Sequence, residues 1–247
     1  MPMIAGKRDQ SYTQADHHLR ENDRYARAKY HLTMRWLRRY MRPGLTLYNI
    51  GVGSGYFNHL AVGAGLDVLG CEPDPETFAL ADGSKPAQNC TLFPIGLAEF
   101  ARGRKPGDII VMHDVLEHIA DDDEAARQLH SITHPGTKIV LSVPAFAFLF
   151  GNHDVELRHF RRYTKKSLRK VLEPYFRITR IRYFGMASIP IVLYFSVLRR
   201  SSYPRAAAAE NMLSKAYGTV CRIESYISEP IGTSCIVEME PRSVTQR

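Results

Sequence analysis

The residues best placed to do chemistry are Leu47-Tyr48-Asn49-Ile50-Gly51-Val52-Gly53-Ser54-Gly55, a buried strand running straight into a glycine-rich turn that opens a helix. Glycine is required where a backbone turns tightly and must approach a ligand with no Cβ in the way. Glu72 closes the next apolar run, twenty-one residues after Gly51. A carboxylate at that place can accept both hydroxyls of a ribose. Turn and acid together describe a site for a nucleoside-containing cofactor at the carboxyl edge of a parallel sheet. Position 56 is Tyr, so the pattern is G-x-G-x-G rather than G-x-G-x-x-G. The shorter loop suits a ligand without a pyrophosphate and argues against a nicotinamide-dependent oxidoreductase.

Four of the ten histidines, His113, His118, His153 and His159, fall near expected strand ends on the same edge. Histidine is the usual general base near neutral pH. His153, with Asp154 beside it to orient its ring, is the first candidate base, and His159 and Tyr163 stand behind it. His113 and Asp114 close a strand next to the expected reaction centre, whereas His118 reads as a residue packing a helix against the glycine loop. Arg161 and Arg162 suit a carboxylate or phosphate, which guanidinium binds bidentately. They belong to a run of ten basic side chains between residues 156 and 182, whose plainer reading is a solvated helix face. The spacing of His113, Asp114, His153 and Asp154 matches no recognised ligand pattern, so no metal is expected.

Short apolar runs alternating with helical stretches must position these groups. Strands are expected at 45–51, 66–72, 90–96, 108–114 and 137–144, with two final ones at 176–184 and 232–240. Helices are expected at 22–41, 56–64, 76–82, 122–133 and 165–173. Connections this short fit βαβ crossovers, hence a mostly parallel sheet with helices on both faces. Residues 1–43 read as an N-terminal helical cap and 44–247 as the main domain. Within the latter, 185–231 is a helical insertion, including an Ala-rich helix near 206–209 and a helix over 217–226.

Length and charge bound the rest. A chain of 247 residues can bury a large core unaided. An apolar fraction of 45% and a charged fraction of 23% exclude a disordered tail, a collagen or a small disulfide scaffold. Cys71, Cys90, Cys221 and Cys235 are scattered with no C-x-x-C pair, which points to a reducing compartment. The formal charge of +8 suits an anionic partner or surface without naming one. Phe184 to Leu198 is the longest apolar run, too short for an ordinary membrane span and interrupted by Pro190. It reads as a buried helix or a lid, and otherwise as a segment resting on a membrane surface between flanking arginines. No secretory signal is visible at the N-terminus, so the expected location is cytoplasmic, with peripheral membrane contact as the alternative.

The sequence resembles the class I S-adenosylmethionine-dependent methyltransferases over roughly residues 22–240. YNIGVGSG looks like their first motif and GCEPD like their second-strand acid. DIIVMHDVLEHI and HPGTKIVLSVPA look like their fourth and fifth strand ends, and HDVELRHFRRYTKKSL resembles a stretch found in a subgroup. The resemblance implies a Rossmann-like seven-stranded sheet with its last strand antiparallel, and S-adenosylmethionine as cofactor. Gly51, Gly53 and Gly55 would lie beneath that cofactor, Glu72 and Pro73 beside its ribose, Leu97 and Ala98 along its adenine, and Asn49 and His113 near its methionine end. Two positions depart from the family. Asn49 stands where Asp or Glu is usual, and Leu97 where many members have Asp; both changes remove a charge-assisted bond. The expected activity is methyl transfer to an oxygen or nitrogen of a small-molecule acceptor in biosynthesis. A lipid or lipid-linked acceptor at a membrane surface, or non-catalytic binding of the cofactor, are the alternatives. A nucleic-acid substrate is disfavoured: His113-Asp114-Val115-Leu116 replaces the Asn/Asp-Pro-Pro-aromatic run that grips a flipped base amine. Oligomeric state is not legible in one chain.

Overall fold

In a computed structural model, residues 23–201 and 212–242 are described. Helix α1 (Arg24–Leu37) begins where the Asp23 carboxylate accepts from the backbone N–H groups of Tyr25 and Ala26, an N-cap. Ala28, Leu32, Trp36 and Leu37 fall on one helical stripe and are buried. Strand β1 (Thr46–Ile50) follows, then α2 (Tyr56–Gly63), β2 (Asp67–Cys71), α3 (Pro75–Ser84), β3 (Cys90–Phe93), α4 (Leu97–Ala101) and β4 (Gly107–His113). The second half comprises α5 (Asp122–Ser131), β5 (Thr133–Pro144), α6 (Asn152–Glu156), α7 (Lys165–Leu172), β6 (Phe176–Phe184), α8 (Ile189–Val192), α9 (Met212–Glu224) and β7 (Ser234–Pro241).

The seven strands form one sheet in the order β3-β2-β1-β4-β5-β7-β6. β1 pairs in parallel with β2 and β4, β2 with β3, and β4 with β5. β7 inserts antiparallel between β5 and β6. Alternation along the central strands sorts the core into two layers. Leu47, Ile109, Val111, Val140 and Ile236 face α1, α2 and α9 together with Leu32, Phe57 and Cys221. Tyr48, Ile50, Ile110, Met112, Leu141 and Val237 face α4, α5 and α7 together with Phe100, Leu129 and Leu168. A sheet covered on both faces explains why its strands read as continuous apolar runs.

Three expectations are adjusted. β5 starts at Thr133, four residues before its expected start, because a register shift between Gly107 and Ile109 lets Thr133 pair with Gly107. α4 and α6 were not foreseen: five residues are too few for a helical period to show in sequence. The apolar run is not buried throughout. Phe184 ends β6, and Ile189 and Val192 pack on Leu149. Ile191, Tyr194 and Leu198, in α8 and the π-helical turn Leu193–Leu198 that continues it, are exposed. The expected helix near 206–209 lies outside the described residues. Among the described residues, no helix is long and apolar enough to cross a membrane.

α1 is bound into the sheet rather than perched on it. Tyr25 Oη donates to Ser234 Oγ at 2.7 Å and lies 2.9 Å from Thr233 Oγ1, at the start of β7. Arg24 Nε donates to Ser214 Oγ of α9 at 3.1 Å. Leu32 is 0% exposed within the layer formed by β1, β4 and β5. Truncating a leucine so placed removes transfer energy and leaves a cavity, so Leu32→Ala should cost about 2–5 kcal/mol of unfolding free energy. Urea denaturation measures it, and a loss below about 1 kcal/mol would mean that α1 is a loosely held cap.

Candidate active site

All parallel strands deliver their carboxyl ends to one edge, and the chain leaves β1 and β4 in opposite directions there. Such a switch point opens a crevice. Gly51, Gly53 and Gly55 line its β1 side with φ of 74°, 56° and 79°, in the left-handed region that favours glycine. A Cβ on Gly51 would overlap Cγ2 of Val115, which follows β4. A Cβ on Gly53 would meet nothing, so that stretch of backbone is bare toward the crevice. The Glu72 carboxylate is held over the turn: Gly53 N donates to Oε2 at 3.1 Å and Asp74 N to Oε1 at 3.2 Å. Leu97 is buried at the start of α4, Ala98 is exposed, and Gly96 approaches Pro73. The β2 and β3 ends therefore form one wall. Bare turn, fixed acid and apolar wall fit the nucleoside part of S-adenosylmethionine.

Asn49 behaves otherwise than a ligand contact. It is buried, and its Nδ2 donates to Asn58 Oδ1 of α2 at 2.7 Å, so this amide staples the strand to the following helix. His113 is equally enclosed. Thr33 Oγ1 lies 2.8 Å from its Nε2, and the rings of Tyr30 and Phe57 stand 5.1 and 5.2 Å away. Burial, reinforced by the Lys29 charge, pushes His113 down to about 3, and it is neutral at physiological pH.

Asp114 takes a positive φ of 53° at the crevice edge. Its carboxylate pairs with the buried Lys29 of α1 and accepts from Ser142 Oγ at 3.1 Å. Burial would raise its pKa, but Lys29 brings it below the ordinary carboxylate range. Lys29 and Thr33 escape a motif search because neither belongs to a glycine loop or strand end. Their spacing of four along α1, on the stripe that also carries Leu32 and Trp36, is the signal that marks them.

Asp154 does not orient His153. Its Oδ1 accepts from His159 Nδ1 and Arg162 Nε, both at 2.8 Å, and its Oδ2 from Gly151 N at 2.9 Å. Against the cost of burial, these bonds bring the carboxyl down to about 2. His153 sits half-buried in α6 with its backbone N–H on Ser196 Oγ. His118 does not pack against the glycine loop either: it is exposed, with its ring edge-on to His159 at 4.6 Å. Tyr163 is sealed in the core and donates to Asp122 Oδ2 at 2.9 Å. Arg161 pairs with Asp122 and with the Ala120 carbonyl, while Arg162 is spent on Asp154 and the Ala145 carbonyl. Both are engaged internally, as are Arg169, Arg177 and Arg180 with Glu173, Glu240 and Glu238. Glu117, beside this cluster, is wholly buried, and burial and the Asp114 charge hold its carboxyl well above the ordinary range.

The seven-stranded order with β7 reversed, together with a glycine turn and acid at the switch point, defines a Rossmann-like S-adenosylmethionine-dependent methyltransferase fold. Residues 19–176 match the methyltransferase domain family, and the chain belongs to it. An uncharacterised methyltransferase of Mycolicibacterium gilvum is 33% identical over 131 residues, 49% of this chain and 51% of its own. The chain spans about half the length of the curated relatives it matches. Among solved structures, a Haloferax volcanii chain from a complex of the Trm112 methyltransferase activator with a methyltransferase superposes with a TM-score of 0.64 at 14% identity. That match covers 94% of this chain and 97% of the other. An S-adenosylmethionine-dependent methyltransferase of Mesorhizobium loti gives a TM-score of 0.57 at 16% identity, covering 85% and 98%. At such identities these structures speak for the fold.

The neutral, enclosed His113 has a consequence for acid stability. Its folded pKa of about 3 lies below the unfolded value of 6.5, so the unfolded chain binds the extra proton between the two. Stability must then fall as pH drops from about 6.5 toward 3. The urea midpoint should decrease from pH 7 to pH 5, and the decrease should shrink in His113→Asn. An equal decrease in both proteins would show that His113 is not the group responsible.

Proposed function

We propose that this chain transfers the methyl group of S-adenosylmethionine to an oxygen or nitrogen of a small-molecule acceptor by in-line displacement. The reading is carried by the Glu72 carboxylate held over the bare Gly51–Gly55 turn by the Gly53 N–H. When bound, the cofactor supplies an already activated methyl on a sulfonium, so the protein's task is alignment of nucleophile, carbon and sulfur. Gly51 and Gly53 allow close backbone approach, Glu72 accepts the ribose hydroxyls, and the Pro73, Leu97 and Ala98 wall borders the adenine. Asn49 and His113 contribute from behind the crevice, by fixing the β1 and β4 ends. Lys29 holds the Asp114 carboxylate beside the methionine end. For a hydroxyl or protonated amine acceptor, His153 takes the proton. Of the other two candidates, His159 is turned to Asp154 and Tyr163 to Asp122.

The test begins with binding. S-adenosylhomocysteine at a hundred times its dissociation constant should stabilise the protein by about 2.7 kcal/mol, read as a rise in Tm. Glu72→Ala should abolish the rise, and NAD should give none. A shift with NAD alone would sink the cofactor assignment. With an acceptor in hand, His153→Ala should keep cofactor binding and slow single-turnover transfer about 10²–10⁴-fold. Normal turnover would remove His153 as the base.

A second reading, an acceptor presented at a lipid surface, is favoured by one observation. Ile191, Tyr194, Leu198, Ile223, Tyr226 and Ile227 are exposed in the segment between β6 and β7, and Arg199 flanks them. Apolar side chains with basic neighbours suit the interface of an anionic bilayer. The protein should then co-sediment with phosphatidylserine-containing vesicles and be released by salt. Absence of such binding would eliminate this reading and leave the soluble acceptor.

A further inference from the structure

Glu117 has 0% exposure, and neither of its carboxylate oxygens has a hydrogen-bond partner among the described residues. It follows β4 in the 3₁₀ turn Leu116–His118, three residues beyond Asp114. The ring of His118 stands edge-on to that of His159, centroids 4.6 Å apart. One ligand atom from each of the three side chains lies within 4.8 Å of the other two. Glu117 Oε1 and His159 Nε2 are 4.0 Å apart, too far for a hydrogen bond. Two ligands about 2.1 Å from a shared ion stand about 3–4.2 Å from each other.

His159 is prepared for such a role by its other nitrogen. A carboxylate on one ring nitrogen fixes the tautomer, aims the ring and raises the basicity of the opposite nitrogen, as metal-ligating histidines require. Asp154 is that carboxylate, bonded to His159 Nδ1 at 2.8 Å and steadied by Arg162 and Gly151. Phe160 N donates to the Glu117 carbonyl at 2.8 Å. The segment carrying His159 is thereby pinned to the one carrying Glu117 and His118. Exposure of His118 leaves one side of the cluster open to solvent, which provides an entry path and room for further ligands.

We propose that Glu117, His118 and His159 bind a divalent first-row transition-metal ion, with open coordination positions toward solvent. Two imidazoles and one carboxylate select manganese, iron, cobalt or zinc over magnesium and calcium, which take oxygen ligands. The absence of a metal expected from sequence rested on spacing around His113 and His153. The structure gathers a different set, from two segments about forty residues apart. The site stands independently of the methyl-transfer reading, because ion binding is measured with neither cofactor nor acceptor present.

The test uses the full chain, stripped with a chelator and titrated separately with cobalt(II), followed by its visible absorption, and with manganese(II), followed by the resonance of the free ion. One equivalent should bind. His118→Ala alters an exposed side chain and leaves the fold intact. Glu117→Gln preserves the shape of a buried carboxyl and would be harmless if Glu117 were merely a neutral buried acid. Each should weaken binding by at least about a hundredfold, and Asp154→Asn by about 10–100-fold at unchanged stoichiometry. The proposal is overturned if the wild-type protein takes up neither ion at millimolar concentration. It is equally overturned if either His118→Ala or Glu117→Gln binds as tightly as wild type.

Discussion

The constraint on which this structure depends is the handedness of its crossovers. A strand, a helix and a parallel strand connect right-handedly. Because the chain leaves β1 toward β2 and later returns to place β4 on the other side of β1, its crossovers cover opposite faces of the sheet. The carboxyl ends of β1 and β4 are then adjacent in space while their connections diverge, and a crevice opens between them. The glycine turn, Glu72, His113 and Asp114 are at that edge because of strand order. Their local sequences decide only what each does there.

The edge is then closed from one side by α1. Its apolar stripe belongs to the same core layer as β1, β4 and β5, so the helix is held by burial of the kind that holds the sheet. From that fixed base, Lys29 and Thr33 reach the last residues of β4, pairing Asp114 and capping the ring of His113. A buried ammonium is costly unless paired. The helix, the strand end and the positive-φ residue at Asp114 therefore stand or fall together, and the charge at the crevice edge is set by a residue eighty-five positions earlier in the chain.

The fold was legible because its signals are local and repeated: an apolar run gives a strand, a 3.6-residue stripe gives a helix, and their alternation gives a parallel sheet. The glycine turn and Glu72 were legible for the same reason, being a strand end and the acid that follows the next strand. The histidines were not. Asp154 adjoins His153 in sequence, yet the one-turn helix α6 carries it round to His159 and Arg162. Within a helix, residues one apart point in different directions, and the chain beyond α6 turns back to bring His159 and Arg162 to Asp154. Arg161 and Arg162 had the chemistry to hold an anion, but acids from α5 and α6 already occupy them. Glu117 carried no sequence signal beyond its type, since complete burial of a carboxylate is a tertiary property.

The segment between β6 and β7 is tied at its base. Thr233 N donates to the Gly185 carbonyl, and Gly232 approaches Phe184 so closely that a Cβ would strike its backbone. The buried Arg182 of β6 reaches across to the carbonyls of Glu224 and Ser225 at the end of α9. Entry and exit are thus set by the hairpin-like pairing of β6 with β7, whatever runs between. Lengthening a loop with fixed ends costs only about 0.6 kcal/mol per doubling. Within that frame α9 is fastened too, by Cys221 in the core layer and by Arg24 on Ser214. Changes of length or composition that spare these contacts therefore leave the strand ends that frame the crevice in register.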